Sequence, residues 1–238
     1  MYNWVKLPTT WILNKENPLL RRYSWRGDIK SDYIAALMLY ITIATHASRE
    51  NTDDCPLGCA KLSYSKFCLI TSLSRSKVSN GLNILIRDNL IEKYSYNKTN
   101  IYKIVNYENR GGWGKLPARI LYDDYEEYII AFSDFKLRQK VELDSLKLYL
   151  LLIALRDNYL NHATPSYDTI NRYTGIIRTN IRSAISQLVN HDLIHVQKYG
   201  DPSNLEKRRN YYRIIGIDDK RHAGNMTYES FEEESDSD

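Results

Sequence analysis

The chain has 238 residues, 43% of them hydrophobic, with 33 basic and 29 acidic side chains and a net charge of +4. That length suits one large domain or two ordinary ones. No apolar run approaches the ~18 residues of a membrane span, so the composition favours a soluble globular protein and excludes a membrane-spanning one. Three cysteines and an N-terminus without a secretory layout exclude a disulfide framework and lead us to expect a cytoplasmic protein.

The chain opens with Trp4-Val-Lys-Leu-Pro8 and then enters a strongly apolar stretch, expected as a buried helix over about 32–48. Cys55-Pro-Leu-Gly-Cys59 follows in a variable loop, with Cys68 and His46 as further candidate metal ligands. The spacing matches no common zinc site, so we expect these cysteines to act as small packing residues, and no cofactor. A short helix (about 63–71), a tight polar turn and an amphipathic helix (about 74–88) come next. Two strands joined by Asn97-Lys-Thr-Asn100 then form a hairpin.

The same series recurs. Trp113-Gly-Lys-Leu-Pro117 repeats the opening motif, and an apolar helix is expected over about 144–159. Ser166 to Ile194 matches Ser63 to Ile91 without a gap, placing helices at about 166–174 and 177–190. A second hairpin is expected from Ile194–Tyr199 and Tyr211–Ile217, joined by Gly200–Asn210. Asn109-Arg-Gly-Gly112 reads as a linker. The expected organisation is therefore a first domain over 1–107, a linker over 108–112, a second domain over 113–220 and a disordered tail over 221–238. Six of the 29 acidic residues lie in the last ten positions, which leaves 33 basic against 23 acidic for the rest. That excess suggests a polyanionic partner.

Leu73-Ser-Arg-Ser-Lys-Val78, Leu82, Leu85 and Asn89-Leu-Ile91 form one motif, and Ile176-Ile-Arg-Thr-Asn-Ile181, Ile185, Leu188 and Asp192-Leu-Ile194 form its counterpart. Each resembles the S-R-x-x-V…L…L…x-L-I signature of bacterial winged helix-turn-helix proteins. The resemblance implies an α+β, mostly α fold of two tandem winged helix-turn-helix domains related by internal duplication. It also implies sequence-specific binding of double-stranded DNA. The architecture is similar to bacterial regulators and to the replication initiators of plasmids and phages. A transcriptional regulator is the first expectation and a replication initiator the second; a winged-helix assembly module without specific DNA binding is the rival from another class. Further partners would be a second copy or the replication or transcription machinery, with no membrane.

The residues themselves suit a groove. Val78, Leu82 and Leu85 face a core, and the opposite side carries Ser76, Asn80, Asn83 and Arg87, flanked by Lys77 and Ser79, with no acid before Asp88. Ser74 can cap the helix, which places Arg75, Ser76 and Lys77 on its first turn, where free N–H groups tolerate phosphate. Lys98 falls near the hairpin tip. In the second half the corresponding candidates are Arg178, Thr179, Asn180 and Arg182, with Lys207, Arg208 and Arg209 in the longer hairpin connection. His191-Asp-Leu-Ile-His195 imitates a zinc-protease motif, but we expect the chain to pass from helix to strand inside it. Nothing in the sequence points to an enzyme.

Overall fold

The structure, a computed structural model, describes residues 1–52, 55–96, 99–158, 160–199 and 209–217. Two helices make its centre: α2 (Lys30–Thr45) and α5 (Lys140–Leu155). Helices apolar on every side must be enclosed, and these are. Every residue of α2 from Ile34 to Thr45 and of α5 from Glu142 to Ile153 is buried. α5 starts four residues before the expected Asp144. Glu142, the third residue of the helix, is the reason: its carboxylate accepts the backbone N–H groups of Lys136, Leu137, Arg138 and the N-cap Gln139 at 2.5–3.2 Å, pinning the entering chain to the first turn. The helix also ends early, at Leu155, where the backbone of Arg156 turns extended and its guanidinium reaches Asn158 Oδ1 and Asn161 Oδ1, both at 2.7 Å.

Each central helix carries a helix-turn-helix pair. α3 (Tyr64–Thr71) and α4 (Arg75–Arg87) pack on α2; α6 (Tyr167–Thr174) and α7 (Arg178–Asn190) pack on α5. The two turns are built alike. Thr71 Oγ1 donates to Phe67 O at 2.6 Å and accepts from Leu73 N, while Thr174 Oγ1 donates to Ile170 O at 2.6 Å and accepts from Ile176 N. Ser72 and Gly175 both adopt the left-handed conformation that ends the first helix. Ser63, Ser74 and Ser166 cap their helices, each contributing about 1 kcal/mol.

Each half also carries a three-stranded antiparallel sheet. The first orders β2 (Cys59–Lys61), β4 (Thr99–Ile104) and β3 (Ile91–Tyr96); the second orders β6 (His162–Ala163), β8 (Arg209–Ile214) and β7 (Ile194–Tyr199). The hairpins were expected, but the third strands, drawn from the loops after α2 and α5, were not. Strands of two or three residues leave no alternating pattern to read.

The repeated pentads pair with each other. β1 (Trp4–Pro8) and β5 (Trp113–Pro117) run antiparallel, with Lys6 opposite Lys115 at the centre and each tryptophan opposite the other strand's proline. The segments that follow them cross over. α1 (Leu19–Arg22) lies on α6, and Arg21 Nη1 donates to Asn171 O at 3.2 Å. In return, Ile129 N donates to Ile70 O of α3 at 3.0 Å, and Tyr122 Oη meets Thr45 Oγ1 of α2 at 2.7 Å. With α2 against α5, one hydrophobic core runs without a break through both halves. The result is an α+β chain of small antiparallel sheets and seven α-helices among the described residues. None of these helices is long and apolar enough to cross a membrane.

Candidate nucleic-acid interface

α4 turns Val78, Leu82 and Leu85 into the core, with Gly81 and Ile84 also buried. Gly81 sits where α2 and α4 nearly touch. A Cβ there would come within 2.7 Å of Leu39 Cδ1, 3.0 Å of Ala36 N and 3.1 Å of Ala35 C. Opposite, Ser74, Arg75, Ser76, Asn80, Asn83 and Arg87 are exposed and Lys77 half-buried. The expected face therefore exists, but its charges are not all free.

Asp32, from the first turn of α2, is the acid that the helix itself lacks. Its Oδ1 accepts from Lys77 Nζ at 2.6 Å and its Oδ2 from Asn80 Nδ2 at 3.2 Å; Ser31 Oγ also accepts from Lys77 at 2.6 Å. At the other end of α4, Arg87 donates twice to its neighbour Asp88, at 3.0 Å each. The carboxylate's hydrogen bonds hold the Arg87 guanidinium's pKa above its ordinary value. Arg75 donates to Ser65 Oγ at 2.9 Å, whereas Ser76 and Asn83 have no side-chain hydrogen bond among the described residues. Among the described residues Arg75 is thus the cation of this face without a carboxylate partner, and the remaining surface is hydroxyl and amide.

The matching face of α7 differs. Arg178, Thr179 and Arg182 are exposed. Arg178 lies 3.6 Å from Asp168, an ion pair with both partners open to water, so it is worth little. Arg182 makes no ion pair among the described residues, and Thr179 Oγ1 donates to Asn180 Oδ1 at 3.4 Å. Toward its C-terminus α7 faces a hollow lined by Arg182, Ser183, Ser186 and Asn190, with Asp134 and Lys136 across it. Arg209 begins β8; Lys98, Lys207 and Arg208 lie outside the described residues, as does the tail expected over 221–238.

A cationic feature went unassigned in the sequence: the ribbon of β1 and β5. Lys6 lies over the Tyr107 and Trp113 rings at 5.5 and 5.9 Å, and Lys115 over Trp4 at 5.1 Å. The Trp4 and Trp113 rings lie parallel, 6.1 Å apart. Burial lowers both lysine pKa values, and Arg156 lowers that of Lys115 further. The repeated Trp-x-Lys-Leu-Pro was the signal, since only a pair of copies places the two lysines opposite each other. Here the lysine stems and indoles hold the ribbon together.

The cysteines pack as follows. Cys55 Sγ donates to Cys59 O at 3.1 Å and Cys59 Sγ meets Tyr94 Oη at 2.9 Å. No group of three metal-ligating side chains occurs among the described residues. His191 closes α7 and His195 lies in β7, so the pair is not on one helix. No protein-family model matches the sequence, and no curated protein is significantly similar to it.

Proposed function

We propose that the chain is a sequence-specific double-stranded DNA-binding protein built of two winged helix-turn-helix units that arose by duplication, and that it acts as a transcriptional regulator or, as the alternative, a replication initiator. The observation that carries this reading is the outer face of α4. From a capped start, α4 projects Arg75 and Ser76 on its first turn and Asn80 and Asn83 further along, while its other side is locked into the core. Short hydroxyl and amide groups let a helix approach base edges in the major groove. The exposed arginines of α7 suit phosphates instead, so α4 would read bases, and α7 with Lys207, Arg208 and Arg209 would hold the backbone.

Selection from random duplexes tests this. The expected product is a site of two unlike half-sites about one helical turn apart. Replacing Arg178 and Arg182 by alanine should weaken binding to all sequences alike and flatten its salt dependence by roughly 0.9 per lost phosphate contact. No enriched sequence would refute the reading. That result would favour an assembly module, which has exposed Ile120 and Ile130 lining one groove in its support.

A further inference from the structure

We propose that Asp32, a residue outside the recognition helix, sets the base preference of Asn80 by fixing which end of its amide faces the DNA. The proposal rests on the reading of α4 as a DNA-reading helix. Asp32 is buried, 6% exposed, and both of its oxygens are occupied by α4: Lys77 on Oδ1 and Asn80 Nδ2 on Oδ2. A carboxylate accepts and does not donate, so an asparagine beside it must turn its nitrogen inward. Asn80 is exposed, and what it then offers a ligand is Oδ1 and the second Nδ2 hydrogen. That acceptor–donor fork matches the major-groove edge of adenine, whose N6–H donates and whose N7 accepts; guanine shows two acceptors there and would oppose Oδ1.

The contact depends on how closely α2 and α4 approach, which Gly81 permits by having no side chain against Ala35, Ala36 and Leu39. The arrangement is confined to the first half. Asp144, at the matching place in α5, is bound by Lys140 of its own helix, and the positions matching Lys77 and Asn80 hold Asn180 and Ser183. The two half-sites should therefore be discriminated to different degrees, with the adenine requirement on the α4 side.

The test uses the full chain and the site it selects. Asp32→Asn replaces the acceptor by a group that can also donate, so both orientations of the Asn80 amide become allowed, and it frees the Lys77 ammonium. The expected result is a loss of adenine preference at one position by about five-fold or more, as for Asn80→Ala. Affinity for non-specific duplex should hold or rise, and Lys77→Gln should keep the preference. In the wild-type protein, 7-deazaadenine or purine at that position should each weaken binding about five-fold, which probes the fork without any variant. The proposal is overturned if folded Asp32→Asn keeps the preference within two-fold or loses specific and non-specific binding in equal proportion. It also falls if Lys77→Gln loses the preference, or if the wild type tolerates both base analogues. If the wild type selects no site, the DNA-binding reading fails and takes the proposal with it; a selected site with any of the preceding results removes the proposal alone.

Discussion

Lys147 gives the sharpest test of the shared core. It lies within α5, is 3% exposed, and its ammonium donates to Tyr23 O at 2.8 Å, tying the second half to the segment after α1. Burial lowers its pKa from 10.5 to about 8, partly offset by Asp144 and reinforced by Lys140 and Arg21. That difference is worth about 3 kcal/mol against the charged form. Below pH 8 both folded and unfolded chains are protonated, so the full penalty opposes folding. Between about 8 and 10.5 the unfolded chain holds the proton that the folded one has released, so stability rises with pH; above 10.5 the penalty is gone. Lys147→Met lacks this titration but leaves Tyr23 O without its donor, at a cost of about 1–3 kcal/mol. The variant should match the wild type near pH 7 and fall behind by up to about 3 kcal/mol near pH 10. Urea unfolding of both proteins at several pH values measures the difference, in which the other titrating groups cancel. A difference that stays flat from pH 7 to 10 would refute the argument, because it would mean the ammonium is solvated in the folded chain.

Gly81→Ala should destabilise by about 1–3 kcal/mol in thermal melts, although alanine is the better helix former, because the added methyl meets the backbone of α2. Residues 1–217 should unfold in one transition by heat or urea, and a fragment of residues 1–107 should fail to fold, since it lacks β5 and the segment packed on α3. Two separate transitions in calorimetry would contradict the interlocked core.

Much of each helix-turn-helix was legible because its determinants are local. Ser63, Ser74 and Ser166 are caps next to the helices they cap, and Val78, Leu82 and Leu85 follow the helical period. The hairpins were legible for the same reason. What escaped was set by distant partners. The Trp4 and Trp113 pentads were visible as a repeat, but their pairing joins residues over a hundred positions apart. The start of α5 escaped because Asp144 resembles a cap, while the working group is Glu142 two residues earlier. The face of α4 read as free of acids along the sequence. Asp32 arrives there only through the packing of α2, and nothing in residues 74–88 announces it.

Charge, seen this way, is distributed by packing more than by composition. On the proposed reading, Asp32 and Asp88 remove the net charge of Lys77 and Arg87 from the α4 face and leave amides and hydroxyls there, with Arg75 as the remaining cation. Arg182 of α7 keeps its charge without an ion pair among the described residues, and Arg178 has one only through exposed Asp168. Phosphate contacts hold any sequence equally, whereas each well-matched base contact discriminates by about 1–3 kcal/mol. A polar face is therefore the better reader, because it gains little from a wrong site. A cationic face is the better holder, because it gains from every site. Placing the two on one continuous core, with segments exchanged between the halves, fixes the reader and the holder relative to each other. The five linker residues over 108–112, spanning up to about 18 Å, could not do that alone. The same rigidity lets Asp32 act on base choice from outside α4, since a buttress orients a side chain only when the helices carrying the two do not move apart.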